Sequence, residues 1–262
     1  MLLYLNEAAD VRPPSPGAAI VVVDILRATS TITTAFMNGA RSITPALTPE
    51  EATTVRAESP DALLGGERGG VLIPGFDVGN SPREYTRELV GGRDIGFTTT
   101  NGTRLMRALE QTGPLTIGSY LNLSSVCEAV AGSRGDGLIA CAGTHGAFTL
   151  DDALFAGACV AHLRHSFDEL TDAALAAASL WEAMGDDVVA ATSATRHGRS
   201  LVELGFSADI EFCAQLDITD VRPVLSDGVI TAGCRPVTRP QKTRKACPGC
   251  NRRLVIGVLI LR

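Results

Sequence analysis

The chain has 262 residues, of which 45% are hydrophobic and 20% charged; this composition excludes an intrinsically disordered protein and allows one large domain or two small ones. Its net charge of −6 is unevenly divided. Residues 1–233 contain all 29 acidic residues, whereas residues 234–262 contain eight basic residues, both lysines among them, and no acidic residue. Without lysine, the acidic body excludes Schiff-base chemistry and a lysine-containing phosphate loop. Its negative charge argues against a nucleic-acid-binding core.

The cysteines and the apolar runs predict where the protein resides. Seven cysteines, an odd number, are scattered along the chain, and Met1–Asp10 lacks the pattern of a signal peptide. The apolar run Leu254–Leu261 has eight residues, too few to span a bilayer. We therefore expect a reduced, cytoplasmic protein that does not enter a membrane.

Apolar runs alternate with helical patterns in the first half of the chain. Ile20–Ile25 is continuous and β-branched, which is typical of a strand buried on both faces. Thr48 and Ser81 each precede a proline and, three residues on, a glutamate, so both positions predict a capped helix start. This alternation predicts an α/β protein with a mostly parallel sheet. Weaker strands are predicted at Arg41–Ala46, Ala62–Leu64, Asp94–Thr98, Leu115–Gly118 and Gly137–Cys141.

The second half of the chain is richer in helix. Leu150–His165, Thr171–Met184 and Ser193–Leu204 have helical patterns, and short strands are predicted at Val221–Leu225 and Gly228–Thr231. The helical stretch could form a second domain or cover the same sheet. We expect residues 1–233 to form one compact unit with two lobes.

Four loops that follow predicted strands are rich in small polar and charged residues. Ligands of open α/β sheets bind beyond the carboxyl ends of the strands, where helix N-termini offer free N–H groups to anions. Each loop also has an ordinary structural explanation, as an ion pair, a flexible glycine loop or a polar helix cap. The loops are Asp24–Thr31, Gly65–Pro82, Thr98–Thr103 and Cys141–Asp152.

Together these loops indicate phosphate-ester chemistry. Asp24, Glu67 and Asp152 supply hard oxygen ligands, and Arg27 and Arg68 supply guanidinium groups that match phosphate. The body has no His/Cys set with zinc spacing, so Mg²⁺ is the expected cofactor and a small anionic phosphorylated molecule the expected partner.

Several ordered motifs resemble the 2-phosphosulfolactate phosphatase (ComB-type) family. The resemblance covers about residues 1–230 and implies a three-layer α/β/α fold. It also implies Mg²⁺-dependent hydrolysis of (R)-2-phospho-3-sulfolactate to 3-sulfolactate and phosphate, a step of coenzyme M biosynthesis. The motifs that carry it are VVVDILRATSTITTAFMNGA, GERGG, IPGFDVGNSPREY, TTTNGTR, CAGTHGAFTLDDALFAG and SATRHGRSLVELGFSADIEFCAQLD.

The resemblance places a set of residues on the family's motifs, and we assign their roles from side-chain chemistry. The nucleophile stays open between metal-activated water and the Asp24 carboxylate, and His145 or His197 could protonate the leaving group. The catalytic assignments are Asp24, Arg27 and Arg68; the metal ligands Asp24, Glu67, Asp152 and Asp209; and the substrate-binding residues Thr29, Ser30, Asn80, Ser81, Thr99, Asn101, Gly102 and Asn122.

Alternatives to this function stay open. The same scaffold could act on another small phosphorylated acid, or the protein could bind an anion without catalysis. We interpret residues 234–262, which include the pair Cys247 and Cys250, as a divergent or disordered basic tail. A zinc ribbon, a redox pair and a nucleic-acid arm are its alternatives, and a homodimer is left open.

Overall fold

The computed structural model describes residues 17–233 and 252–258, with the backbone alone for Gly257 and Val258. The predictions made for Met1–Asp10 and for the Cys247–Cys250 pair lie outside the described residues. Among the residues that are described, no helix is both long and apolar enough to cross a membrane.

The described residues form one sheet of eleven strands. All six strands predicted in the first half are present, and three of them, Asp94–Thr98, Leu115–Gly118 and Gly137–Cys141, have the predicted bounds, because apolar runs between turns have few alternatives to a buried strand. The strands are β1 (Ala19–Val23), β2 (Ser42–Pro45), β3 (Leu63–Arg68), β4 (Val71–Leu72), β5 (Asp94–Thr98), β6 (Leu115–Gly118), β7 (Gly137–Cys141), β8 (Glu169–Leu170), β9 (Val224–Ser226), β10 (Val229–Thr231) and β11 (Arg253–Val258).

Eleven α-helices and four short 3₁₀ turns connect the strands within the described part of the chain. The α-helices are α1 (Ala28–Met37), α2 (Pro49–Thr53), α3 (Val55–Glu58), α4 (Arg87–Val90), α5 (Gly102–Leu109), α6 (Leu123–Ala131), α7 (Leu150–Leu163), α8 (Asp172–Met184), α9 (Val188–Ser193), α10 (Arg196–Glu203) and α11 (Ser207–Cys213).

The strand order across the sheet is β4-β3-β5-β2-β10-β9-β6-β1-β7-β11-β8. The central pairs β1–β6, β1–β7, β2–β5 and β3–β5 are parallel, whereas β4, β9 and β10 pair antiparallel with their neighbours. The predicted α/β/α architecture with a mostly parallel sheet is confirmed. The hairpin β9–β10 joins two parallel groups, β3-β5-β2 and β6-β1-β7-β11-β8, and its three antiparallel pairings make these groups run in opposite directions.

Alternate residues of β1 pack into two apolar layers, one on each face of the sheet. Val21 and Val23 join the layer formed with α6, α7 and α8, while Ile20 and Val22 join the layer formed with α1 and α5. Helix α7 contacts β1 and β7, and α8 contacts β11. The alanine-rich helical stretch therefore covers a face of the same sheet.

The two predicted capping boxes have different outcomes. Thr48 caps α2, since its hydroxyl accepts the N–H of Glu51 at 3.1 Å. The helix predicted at Ser81 is wrong: Pro82–Glu84 is a single 3₁₀ turn without a side-chain cap. The Ser81 hydroxyl instead donates to Asp209 at 2.7 Å, a partner 128 residues away. A distant buried carboxylate thus outcompetes the local cap.

Part of the basic tail belongs to the sheet. Strand β11 lies between β7 and β8 and is parallel to both, and Leu254 and Ile256 on it are buried. Arg252 donates to the carbonyl of Gly135 at 3.1 Å, and its guanidinium lies 4.5 Å from the centroid of the Phe167 ring. The boundary predicted after residue 233 therefore does not separate residues 252–258 from the domain.

Candidate active site

A cavity of about 450 Å³ lies beside the residues that follow β1, β3, β5 and β7. The loops after these strands line it, and the first two turns of α10 close the opposite side. All four loops predicted from the sequence contribute residues to the cavity wall. The glycine-rich loop Gly65–Pro82 contributes Glu67, Gly69, Gly70 and Asn80. The predicted convergence of the four loops on one site is thus observed.

Asp24 follows β1 and lines the cavity, with 7% of its surface exposed. Its carboxylate faces the backbone N–H of Ala28, and no side chain among the described residues hydrogen-bonds to it. Burial, with the negative charges of Glu67 and Asp151 nearby, raises the pKa of Asp24 to about 6, against the opposing effect of His197. A carboxylate left this free and this poorly solvated is available to a ligand.

Gly102, the first residue of α5, lies against this carboxylate. A Cβ at position 102 would come within 2.7 Å of Asp24 Oδ2 and 2.8 Å of the Ala28 Cβ. Glycine is therefore required here by close approach. Gly102 shapes the pocket around Asp24 and is not itself among the cavity-lining residues.

Glu67 and Arg68 are adjacent on β3 and point to opposite faces, as successive strand residues do. Glu67 lines the cavity, and its carboxylate accepts the N–H of Thr100 at 2.7 Å and that of Gly70 at 2.8 Å. Arg68 does not line the cavity: its guanidinium donates to the carbonyl of Leu47 at 3.0 Å and to the hydroxyl of Thr98 at 2.8 Å. The position of Arg68 corrects the prediction that it clamps the phosphate.

Arg27 lines the cavity but is already engaged. Its guanidinium donates to Asp209 Oδ2 at 2.6 Å and to the carbonyl of Gly70 at 2.7 Å, and lies 4.1 Å from the centre of the Phe206 ring. Both residues of the ion pair are 2% exposed. Asp209, whose other oxygen binds Ser81, therefore orients Arg27 and is not exposed to the cavity as a metal ligand would be.

The adjacent residues Asp151 and Asp152 lie in the first turn of α7, and Asp152, which we predicted to be a metal ligand, does not line the cavity. Asp152 accepts the backbone N–H groups of Ile25 and Gly143, both at 2.9 Å, and so ties the ends of β1 and β7 together. Burial and the neighbouring Asp151 raise the pKa of Asp152. Asp151 lines the cavity with 1% exposure, and its Oδ1 has no hydrogen-bond partner. The cavity-facing carboxylate is thus Asp151 rather than Asp152.

His197, the second residue of α10, stands beside Asp151. Its Nδ1 lies 3.5 Å from Asp151 Oδ2, and 23% of its side chain is exposed. Desolvation by burial lowers the pKa of His197, but its interaction with Asp151 and the charges of Asp24 and Asp152 outweigh that effect and raise it. The histidine is therefore biased towards the protonated form close to Asp24.

Two of the eight residues predicted to bind substrate line the cavity, namely Asn80 and Asn101. The other six shape the loops instead. Thr29 and Ser30 bind backbone groups of residues 24 and 25, and the Thr99 hydroxyl accepts the N–H of Thr103 in the first turn of α5. The remaining three are Ser81, Gly102 and Asn122, the last of which forms a capping box with Ser119 and is fully buried.

Buried oxygens without partners converge on the cavity. Six such side-chain atoms occur in the described residues, and four belong to cavity-lining residues: Asn80 Oδ1, Thr144 Oγ1, Thr149 Oγ1 and Asp151 Oδ1. An unpaired buried polar group costs about 1–3 kcal/mol, so such a group calls for a ligand, an ion or water. Their clustering marks the cavity as a binding site for a polar ligand.

Sequence reasoning missed Asp151, Thr144, Thr149 and Arg196 as cavity residues and named His197 without a partner. Arg196 is exposed at the first position of α10, and its guanidinium has no protein partner within the described residues. The available signal was the TRHGR stretch, which places two cations at a helix start, where a basic residue is otherwise unfavourable.

The predicted metal ligands, Asp24, Glu67 and Asp152 or two of these with Asp209, do not form a cluster. Among the described residues, no three His, Cys, Asp or Glu side chains are grouped as metal ligands would be. Asp24 and Glu67 reach the cavity, whereas Asp152 and Asp209 bind protein groups behind it. Two carboxylates that face a phosphate pocket still suit Mg²⁺, which takes one or two protein carboxylates together with substrate oxygens and water.

Comparison with known proteins gives the class and then the family. Together with the fold and the cavity, it defines the chain as a phosphatase of the α/β class. A family model described as 2-phosphosulpholactate phosphatase matches residues 7–228, most of the chain, and the chain belongs to that family.

Similar proteins from three bacteria carry the name "Probable 2-phosphosulfolactate phosphatase". The protein of Symbiobacterium thermophilum is 43% identical over 218 residues, which cover 82% of this chain and 94% of that protein. The protein of Clostridium acetobutylicum is 41% identical, covering 80% and 90%. The protein of Thermotoga petrophila is 42% identical, covering 80% and 89%.

Proposed function

We propose that this protein is a magnesium-dependent phosphatase that hydrolyses (R)-2-phospho-3-sulfolactate to 3-sulfolactate and phosphate. The proposal rests on the cavity, which is lined by the free, buried carboxylate of Asp24, by the guanidinium groups of Arg27 and Arg196 and by several unpaired oxygens, in a chain that belongs to this family. Two further points stay predictions: the reaction serves coenzyme M biosynthesis, and it takes place in the cytoplasm.

The charge of the substrate fits the cations of the cavity. Phosphate, sulfonate and carboxylate groups give this ester about four negative charges, more than an acidic protein can bind without local positive charge. The guanidinium of Arg27 is neutralised by Asp209 and can donate to a ligand as a fixed, oriented group. Arg196 has no such partner and would receive the second acid group of the substrate.

Asp24 and Glu67 would hold the magnesium ion. Asp24 has no competing side-chain partner among the described residues, and Oε1 of Glu67 keeps a lone pair because it accepts only the N–H of Thr100, whereas Oε2 accepts from both Gly70 and the Thr100 hydroxyl. When bound, Mg²⁺ neutralises the charge of the phosphate oxygens and polarises the ester. Asp152 and Asp209 support the site by fixing the loops and Arg27.

The remaining polar groups orient the phosphoryl group. The amides of Asn80 and Asn101 face the cavity, and the N-terminus of the eight-residue helix α5 begins beside Asp24. Fixed donors of this kind act most strongly on the charge that spreads over the equatorial oxygens during phosphoryl transfer. Asp24 lies where it could attack phosphorus itself, so a covalent phosphoenzyme and direct attack by water both stay open.

A second candidate is a phosphatase of the same scaffold that acts on another small phosphorylated acid. The observation that favours it is the apolar part of the cavity wall, which Leu26, Phe148 and Leu201 contribute and which a three-carbon ester with three acid groups does not need. A phosphorylated acid with a longer apolar chain would use that surface.

The decisive experiment measures phosphate release from a panel of phosphorylated hydroxy acids with Mg²⁺ and with a chelator. We expect Mg²⁺-dependent release with the highest kcat/KM for phosphosulfolactate. A tenfold preference for a longer acid would favour the second candidate. Absence of release from every ester, with Mg²⁺ present and the protein folded, would refute both.

Substitution of Arg196 tests whether this residue binds the second acid group of the substrate. Loss of one charge-assisted hydrogen bond costs about 1.5–3 kcal/mol, so Arg196→Ala should raise KM for phosphosulfolactate about 10- to 100-fold. The KM for isopropyl phosphate, which lacks a second acid group, should stay the same. Arg199→Ala on the same helix is the matched control, since Arg199 does not line the cavity. An equal rise for both esters would contradict the assignment.

A further inference from the structure

We propose that His197 is the general acid of the reaction, protonating the oxygen of the departing alcohol, and that Asp151 positions it. The proposal rests on the proposed function, because it concerns the hydrolysis of an alkyl phosphate at this same site. Phosphosulfolactate is the ester of a secondary alcohol, whose alkoxide is strongly basic and leaves slowly without a proton.

The position of His197 suits this role. It lies on the side of the cavity formed by α10, whereas Asp24 lies at the end of β1, and the charges of the two residues interact. A phosphoryl group held at Asp24 would therefore have its ester oxygen within the same small cavity as the imidazole. The helix start is well fixed, since the Thr195 hydroxyl caps α10 by accepting the N–H of Gly198 at 2.8 Å.

Asp151 decides which ring nitrogen serves the substrate. Its Oδ2 lies 3.5 Å from Nδ1 of His197, so the proton on Nδ1 is held there and Nε2, which has no partner in the described residues, is left for the ligand. Asp151 is buried at the start of α7 and its Oδ1 is unpaired, so a cation beside it is strongly favoured. This is how a carboxylate keeps an imidazole oriented and protonated.

The groups facing His197 come from three elements. Asp151 and Asp152 belong to α7, Asp24 follows β1, and the neighbouring cation Arg196 precedes His197 on α10. The effect of three carboxylates on the imidazole is stronger than that of one solvent-exposed guanidinium, so the pKa of His197 is raised.

Other candidates for the proton donor are less suited. His145 also lines the cavity, but it is exposed and its imidazole has no protein partner within the described part of the chain. Arg27 and Arg196 carry guanidinium groups, which do not serve as proton donors in proteins. His197 is therefore the group with both a transferable proton and a fixed orientation.

The proposed step is balanced in atoms and electrons. The bond between phosphorus and the ester oxygen breaks, and that oxygen keeps the electron pair and takes the proton from Nε2 of the imidazolium. Water supplies the new oxygen on phosphorus, and one of its protons restores the imidazolium. The products are the secondary alcohol and inorganic phosphate.

The test compares two leaving groups in the full-length enzyme with Mg²⁺. His197→Asn keeps an amide near the position of Nδ1, and hence the contact with Asp151, but removes Nε2. We expect its kcat for phosphosulfolactate to fall about 10²- to 10⁴-fold. Its kcat for p-nitrophenyl phosphate, whose leaving group needs no proton, should fall less than about threefold. His165→Asn, which alters an exposed histidine away from the cavity, should change neither rate.

Each outcome bears on the proposal. An equal loss with both esters would overturn the general-acid role, because a misfolded or misassembled site does not distinguish leaving groups. Retention of both rates would overturn it as well. If the unaltered enzyme hydrolyses p-nitrophenyl phosphate but not phosphosulfolactate, the substrate assignment fails instead, and the same comparison with the alkyl phosphate that it does hydrolyse decides the role of His197. A positioning role for Asp151 predicts that Asp151→Asn lowers the alkyl rate selectively, too, by a smaller factor.

Discussion

Replacement of Asp24 by asparagine should stabilise the fold while abolishing turnover. Burial raises the pKa of this carboxyl from 3.8 to about 6, so the folded protein binds its proton more tightly than the unfolded chain does. At 1.36 kcal/mol per pKa unit, the ionised carboxylate costs up to about 3 kcal/mol of folding free energy above pH 7. Asparagine keeps an oxygen that can accept the N–H of Ala28 but carries no charge.

The sign of the pH dependence follows from the raised pKa. Between pH about 4 and 6 the folded state holds a proton that the unfolded state has lost, so the contribution of Asp24 to stability falls as the pH rises. Asp24→Asn removes this dependence. The variant should match the unaltered protein near pH 4 and exceed it by up to about 3 kcal/mol at pH 7.5, with most of the difference arising below pH 7.

Urea unfolding without divalent metal, followed by circular dichroism at both pH values, measures this difference. With a denaturant slope of about 3 kcal/mol/M, the midpoint at pH 7.5 should rise by about 1 M. Asp61→Asn, an exposed carboxyl without a resolved partner in the structure, is the control and should leave the midpoint unchanged. A variant midpoint at or below that of the unaltered protein at pH 7.5 would refute the reasoning. Added Mg²⁺ should raise the midpoint of the unaltered protein and have little effect on Asp24→Asn.

Two further substitutions test the packing behind the site. Gly102→Ala should lower kcat/KM at least tenfold, because the added Cβ would lie 2.7 Å from Asp24 Oδ2 and displace the carboxylate. Phosphate release measures this loss, and unchanged activity would mean that the position of the carboxylate does not matter for turnover. Leu254→Ala in β11 should cost about 2–5 kcal/mol of unfolding free energy, measured in urea, because Leu254 is fully buried. A loss below about 1 kcal/mol would place β11 outside the cooperative core.

The sequence predicted the frame of the site better than its inner surface. The strand at Ile20–Ile25 and the loop that follows it were predictable, because a continuous β-branched run has few alternatives and ligands gather at strand ends. The identity of Asp24 as a cavity residue follows from those two facts. The same argument predicts that the four loops contribute to one site.

Which way a side chain points could not be predicted at neighbouring positions. Asp151 and Asp152 are both acidic residues at a helix start, and about 100° of helical rotation separates them, so composition does not tell which one faces the cavity. Glu67 and Arg68 pose the same difficulty on a strand, where the register decides. The buried Asp209 also draws Ser81 away from its predicted cap, an interaction across 128 residues that no local pattern contains.

The placement of β11 has a consequence for how the protein is made. The strand pairs with β7 and β8, whose residues precede it by roughly a hundred positions, so those strands leave the ribosome long before their partner exists. Until residues 253–258 emerge, one side of β7 presents unpaired backbone groups, the kind of edge that recruits other chains. The sheet can therefore be completed only after β11 has been synthesised. Until then the exposed edge of β7 favours binding of the new chain to a chaperone.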